Sequence, residues 1–137
     1  MIKISFPHMG NYYIAINYLI KKITKQEALI PPKTTRKTIE IGSKYSPDFV
    51  CMPFKYNLGN YIETLEQGAN ILLQAGGGCR YGYYAELQEQ ILKDLGYKFE
   101  FINLMENNHI SIKKIYKFSK KHNKKLNGIN TNNILIL

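Results

Sequence analysis

The period of the apolar positions changes several times along the chain, and each change marks a predicted element. Residues 2–6 form a short apolar run that predicts a strand, and Pro7-His8-Met9-Gly10 a loop. A helix is predicted over residues 11–23, where Ile14 and Tyr18, joined by Ala15 and Leu19, share one face. Ala28-Leu29-Ile30 suits a second short strand, stopped by Pro31-Pro32, and Thr34 or Thr35 can cap a helix that runs to about Lys44. Phe49-Val50-Cys51 predicts a third strand closed by Pro53, followed by a helix over residues 58–67, with Gly68 placed for a left-handed helix end. Residues 71–75 predict a fourth strand. A helix over residues 84–95 follows, in which Leu87, Ile91 and Leu95 recur every fourth position before Gly96 ends it. Residues 97–104 predict a fifth strand packed through Phe99, Phe101 and Leu104.

Strands alternating with helices across short loops predict an α/β fold, a Rossmann-like parallel sheet of about four to five strands with flanking helices. The length of 137 residues suits one domain with its own core. The periodic pattern occupies residues 1–104. Residues 105–137 are rich in lysine and asparagine and end on Ile134-Leu135-Ile136-Leu137, so they are expected to form a divergent or truncated tail.

The net charge of +9 is concentrated in that tail. Residues 1–104 carry 12 basic and 9 acidic groups, whereas residues 105–137 carry seven lysines against Glu106. Lysine blocks of this kind are commonly solvated helix faces or tails. The tail has no arginine, and only Tyr116 and Phe118 for stacking, so a nucleic-acid partner is not expected. No stretch approaches the roughly 20 apolar residues that span a bilayer, and no membrane partner is expected. The amino terminus lacks a signal-peptide core and the two cysteines do not make a disulfide scaffold, so a cytoplasmic location with reduced thiols is expected.

Those two thiols are the candidate chemistry. Cys51 and Cys79 each stand where a predicted strand stops and a helix is about to begin, Cys51 four residues before Lys55 and Cys79 beside Arg80. Helix amino termini and nearby cations favour thiolate, and thiolates at neighbouring strand ends could reach one zinc ion or iron–sulfur cluster. The plainer alternative is that each cysteine is a small buried apolar residue. Gly76-Gly77-Gly78 would allow a backbone approach to an anion, but the spacing is neither a dinucleotide fingerprint nor a phosphate-binding P-loop. His8 is placed to serve a cysteine nucleophile as base, though no spacing supports it, or to join Cys51 and Cys79 on zinc, for which a fourth ligand is not apparent; a loop histidine bonded to backbone is the more ordinary fate. Glu63, Glu66, Glu86 and Glu89 read as solvated helix faces. No residue is assigned a catalytic role.

Four segments carry a family resemblance. They are Phe6-Pro7-His8-Met9-Gly10-Asn11-Tyr12-Tyr13, Gly42-Ser43-Lys44-Tyr45-Ser46-Pro47, Cys51-Met52-Pro53-Phe54-Lys55-Tyr56-Asn57-Leu58-Gly59-Asn60 and Gly76-Gly77-Gly78-Cys79-Arg80-Tyr81-Gly82-Tyr83-Tyr84. Over residues 1–104 the chain resembles the amino-terminal part of CoA-substrate-specific enzyme activase-related proteins, relatives of the component D subunits of 2-hydroxyacyl-CoA dehydratases. The resemblance implies an iron–sulfur or electron-transfer module whose [4Fe-4S] cluster is held by Cys51 and Cys79. Lys55, Arg80 and the amides of Gly76, Gly77 and Gly78 would lie beside that cluster. It also implies an ATP-dependent activase or a dehydratase subunit as partner. The dehydratase clusters typically use three cysteines, and this chain has two, so a homodimer or a separate chain would complete the ligand set. The alternatives are an interaction fragment without a cluster and an anion-binding α/β module.

Overall fold

The computed structural model describes residues 1–74, 83–106 and 109–123. In chain order the elements are β1 (Ile4–Ser5), α1 (Tyr12–Thr24), α2 (Arg36–Tyr45), α3 (Met52–Glu66), β2 (Ile71–Gln74), α4 (Tyr84–Asp94), β3 (Glu100–Asn103), β4 (Met105–Glu106), β5 (His109–Ile110) and α5 (Ile112–His122). β1, β2 and β3 form a parallel sheet in that order, with Ile4 opposite Ile71 and Ile71 opposite Glu100. β4 and β5 pair antiparallel as a separate two-stranded ribbon. The fold is mixed α/β.

β2 is buried along its whole length, because it has a strand on each side and helices on both faces. Its side chains alternate between two cores. Leu72 packs with Phe54, Leu58, Tyr61 and Ile62 of α3 and Leu92 of α4, whereas Ile71 and Leu73 pack with Ile4, Phe6, Ile20 of α1 and Phe118 of α5. Helices α3 and α4 therefore cover one face of the sheet and α1 and α5 the other. Each of the large apolar side chains buried in these cores contributes about 1.5–3 kcal/mol relative to exposure.

α2 packs on the outside of α3. Gly42 and Gly59 permit that approach, since a Cβ on Gly42 would overlap the Lys55 carbonyl and one on Gly59 the Thr38 carbonyl. Thr35 caps α2 through a reciprocal pair of bonds with Thr38, as the threonines at this point of the sequence predict. Gly68 and Gly96 take positive φ after α3 and α4, again as predicted.

Several expectations need correction. Among the described residues the parallel sheet has three strands. Ala28-Leu29-Ile30 runs beside β1 but is held by one backbone bond, Leu29 N–H to the Ile4 carbonyl, and Pro31 and Pro32 have no N–H with which to extend the ladder. Phe49-Val50-Cys51 is a turn leading into α3 rather than a strand. α3 starts at Met52, six residues ahead of the predicted start, because Pro53 lies in its first turn, where a missing N–H costs nothing. In α1 the buried side is Tyr13, Ile16, Ile20 and Ile23, while Ile14, Ala15, Tyr18 and Leu19 are exposed. Beyond Leu104 the lysine-rich sequence forms α5, whose Phe118 is 4% exposed and belongs to the core, while Lys113, Lys117 and Lys120 face outward. No helix among the described residues is long and apolar enough to cross a membrane.

Candidate functional site

Cys51 is the residue of the predicted site that the structure describes most fully. Val50 N–H bonds back to the Pro47 carbonyl across the turn, and Cys51 then extends (φ −70°, ψ 161°) as the amino-terminal cap of α3. Its side chain makes no capping bond to the helix amides. The thiol is exposed, with Sγ 3.7 Å from the Tyr84 hydroxyl. It thus stands at a helix start, as expected, but after a turn and not at a strand end. Around it an open cleft of about 500 Å³ lies between α3 and α4, walled by Phe49, Val50, Phe54, Tyr84 and Leu87. Tyr84 packs edge-on against Phe54, with ring centroids 4.9 Å apart, and that pair joins the two helices beneath the thiol.

Lys55 follows one turn later on α3 and is half-buried; its backbone N–H bonds to the Cys51 carbonyl and its own carbonyl abuts Gly42. Cys79, Gly76, Gly77, Gly78 and Arg80 lie outside the described residues.

A second concave region sits at the carboxyl ends of the strands, where open α/β sheets bind ligands. Phe6 after β1, Leu73 and Gln74 of β2 and Leu104 after β3 line a cavity of about 110 Å³ that Ile20 and Phe118 help to close from the α1–α5 side. Two sets of polar contacts lie nearby. The Tyr61 hydroxyl donates to the Leu73 carbonyl at 2.9 Å and pairs closely with Gln74 Oε1. Burial, and secondarily the Tyr84 phenol, push the Tyr61 phenol well above its ordinary pKa, so it stays protonated and acts as a donor. Asn60 Oδ1 accepts the His8 backbone N–H at 2.8 Å, and its Nδ2 donates to the Pro32 carbonyl at 2.9 Å. Glu63 accepts from the Thr38 hydroxyl at 3.0 and 3.2 Å.

His8 lies in a loop, and the bond that holds it runs from its own backbone N–H to the Asn60 side chain. Its ring stacks on Tyr13 at 5.8 Å, and no hydrogen bond links it to Cys51. Glu63 is not on a solvated face, since it is half-buried and bonded to Thr38. Neither the Tyr61–Gln74 pair nor the Asn60, Glu63 and Thr38 set is anticipated from the sequence. The available signal was polar residues within the apolar stretches of a helix and a strand, as Asn60 between Leu58 and Tyr61.

The donor set decides what the described residues could hold. Among them, no three His, Cys, Asp or Glu side chains converge to bind a metal ion. Cys51 supplies one accessible soft ligand, whereas a four-iron cluster takes four. The described residues thus do not by themselves fit a cluster. No family model, curated protein or solved structure matches the chain.

Proposed function

We infer that the chain is an iron–sulfur-binding or electron-transfer module related to the 2-hydroxyacyl-CoA dehydratases and their activase system, and not a complete enzyme on its own. What supports this reading is the accessibility of the Cys51 thiol, exposed at the start of a 15-residue helix and free of any capping bond. In this proposal Cys79 is the second ligand, with Lys55, Arg80 and the amides of Gly76, Gly77 and Gly78 nearby. The remaining ligands come from a second copy of the chain, a dehydratase subunit or an ATP-dependent activase in the cytoplasm. A bound [4Fe-4S] cluster would supply one-electron transfer, and this chain's part is to present the thiols at a surface that a partner can reach.

The scaffold proposed for this role is a reduced Rossmann-like sheet. With Ala28-Leu29-Ile30 counted beside β1, the spatial order becomes that segment, β1, β2, β3. The helix after β1 covers one face and the helix after β2 the other. Such a reversal between β1 and β2 is the doubly wound arrangement, and the carboxyl-end cavity lies at it.

Anaerobic reconstitution with iron and sulfide tests the cluster. The expected result is a brown protein containing both elements, whose colour is lost in Cys51→Ser and in Cys79→Ser. Colourless protein after reconstitution, alone and with an equimolar activase or dehydratase subunit, overturns the reading. A second reading is favoured by Phe49 and Tyr83, which are 86% and 77% exposed beside Cys51. Large exposed apolar side chains at one cleft suit a cluster-free interaction fragment. That fragment would retain its partner when Cys51 is replaced by serine but lose it when Phe49 is replaced by serine. An anion-binding module would instead be stabilised by phosphate in both cysteine variants.

A further inference from the structure

Helices α1 and α5 lie side by side on one face of the sheet. Ser119 Oγ and Asn123 Nδ2 both bond to the Ile23 carbonyl, and the two helices share the core around Ile20 and Phe118. Their outward surfaces consequently face the same way. On α1 that surface carries Ile14, Tyr18 and Lys22 at successive helical turns, flanked by Tyr12 and Leu19. Ile14 is 60% exposed, Tyr18 63%, Tyr12 72% and Leu19 43%, and the Lys22 ammonium sits 5.2 Å above the Tyr18 ring. On α5 it carries Lys113, Lys117 and Lys120, diametrically opposite the buried Phe118 and His122.

Together the two helices contain seven lysines and no aspartate or glutamate. Lys21 and Lys121 are paired with Glu27 and Glu100 and Lys114 donates to the Met105 carbonyl, which leaves Lys22, Lys113, Lys117 and Lys120 without a salt bridge among the described residues. An apolar and aromatic stripe bordered by unpaired lysines is the composition of a membrane-surface helix. We propose that the α1–α5 face docks on an anionic phospholipid surface. A second copy of the chain is disfavoured as occupant, because a two-fold contact would set lysine rows against each other. Nucleic acid is disfavoured because aliphatic Ile14 and Leu19 gain little from bases and neither helix has an arginine. The lysine run alone did not carry this reading; the exposed side of α1 adds the apolar half. It is independent of the cluster proposal.

The test is sedimentation of the full chain with vesicles of phosphatidylcholine alone or with about 30% phosphatidylserine, at low and high salt. Binding is expected only to the phosphatidylserine vesicles and should fall with salt. Lys113→Gln, Lys117→Gln and Lys120→Gln should each weaken it about fivefold. Ile14→Ser with Tyr18→Ser should weaken it further without changing the circular dichroism spectrum, because both side chains are mostly exposed and outside the core. Lys93→Gln, on α4 across the sheet, should bind as the parent does. No sedimentation, equal sedimentation with both vesicle types, or insensitivity to these lysines overturns the proposal. So does a dimer that Ile14→Ser with Tyr18→Ser dissociates, or a single-stranded oligonucleotide bound through the same lysines in preference to the vesicles.

Discussion

Gly42 and Gly59 sit where α2 crosses α3, each backbone nitrogen within about 3 Å of where the other's Cβ would stand. Both are interior helical positions, where alanine would ordinarily favour the helix by about 1 kcal/mol. Here the added methyl meets a carbonyl, so the helices must separate. Gly42→Ala and Gly59→Ala should therefore destabilise the fold by about 1–3 kcal/mol, read as a lower urea midpoint, and an unchanged or raised midpoint would refute the close crossing. Tyr61 offers a different test at the same scale. Tyr61→Phe keeps the ring and removes a hydroxyl whose one proton the Leu73 carbonyl and Gln74 Oε1 share, which should cost about 1–3 kcal/mol in the same measurement.

At the scale of elements, α5 turns the lysine-rich segment, read from the sequence as a solvated helix face or a tail, into part of the core. It is anchored by Phe118 and by His122, which is 7% exposed. The imidazole Nε2 lies 3.5 Å from Glu100 Oε2, near enough for attraction but not aligned for a hydrogen bond. Burial holds the His122 pKa below its ordinary value; Glu100 opposes that shift and Lys121 adds to it. A histidine depressed in the folded state binds its proton more readily when unfolded. Its contribution to stability is therefore full above the unfolded value of about 6.5 and declines as pH falls from there towards the folded pKa. Thermal melts between about pH 7.5 and 5.5 should show the parent losing more stability than His122→Leu. Equal slopes would show that His122 does not couple α5 to pH. Replacing Phe118 by alanine should cost about 3–5 kcal/mol at any pH, since it empties a core position.

Local signals were sufficient for some elements. The threonines before α2, the glycines after α3 and α4, and the apolar run at 71–74 each act within a few residues, and each element forms near its expected place. Pro53 misled because proline ends a strand and also suits the first turn of a helix, and only the packing of Phe54, Leu58 and Tyr61 decides between them. The face of α1 misled for a related reason. Two apolar stripes compete around that helix, and the sheet selects Ile16, Ile20 and Ile23.

For the whole molecule, the two-sided burial of β2 predicts where resistance to opening concentrates. Amide hydrogen exchange should be slowest in β2 and in the Leu58–Leu65 part of α3, and fastest in the β4–β5 ribbon, which has two residue pairs and stands apart from the sheet. Rapid exchange across β2 would contradict its central place. The same central strand ends at Gln74, so the cavity at the carboxyl edge rests on the most protected part of the fold.

The sequence by itself determined the α/β class, the candidate thiol at Cys51 before a helix, and the excess of lysine in the last quarter, because composition, caps and period are local properties. Only the tertiary structure decided that Cys51 is exposed and follows a turn, that Tyr61 meets Gln74 while Asn60 meets His8 and Pro32, and that the lysine helix lies beside the exposed stripe of α1. Each of those depends on which surfaces meet across the sheet. Residues such as Asn60 and His8, 52 positions apart, are joined by a bond that no local pattern encodes.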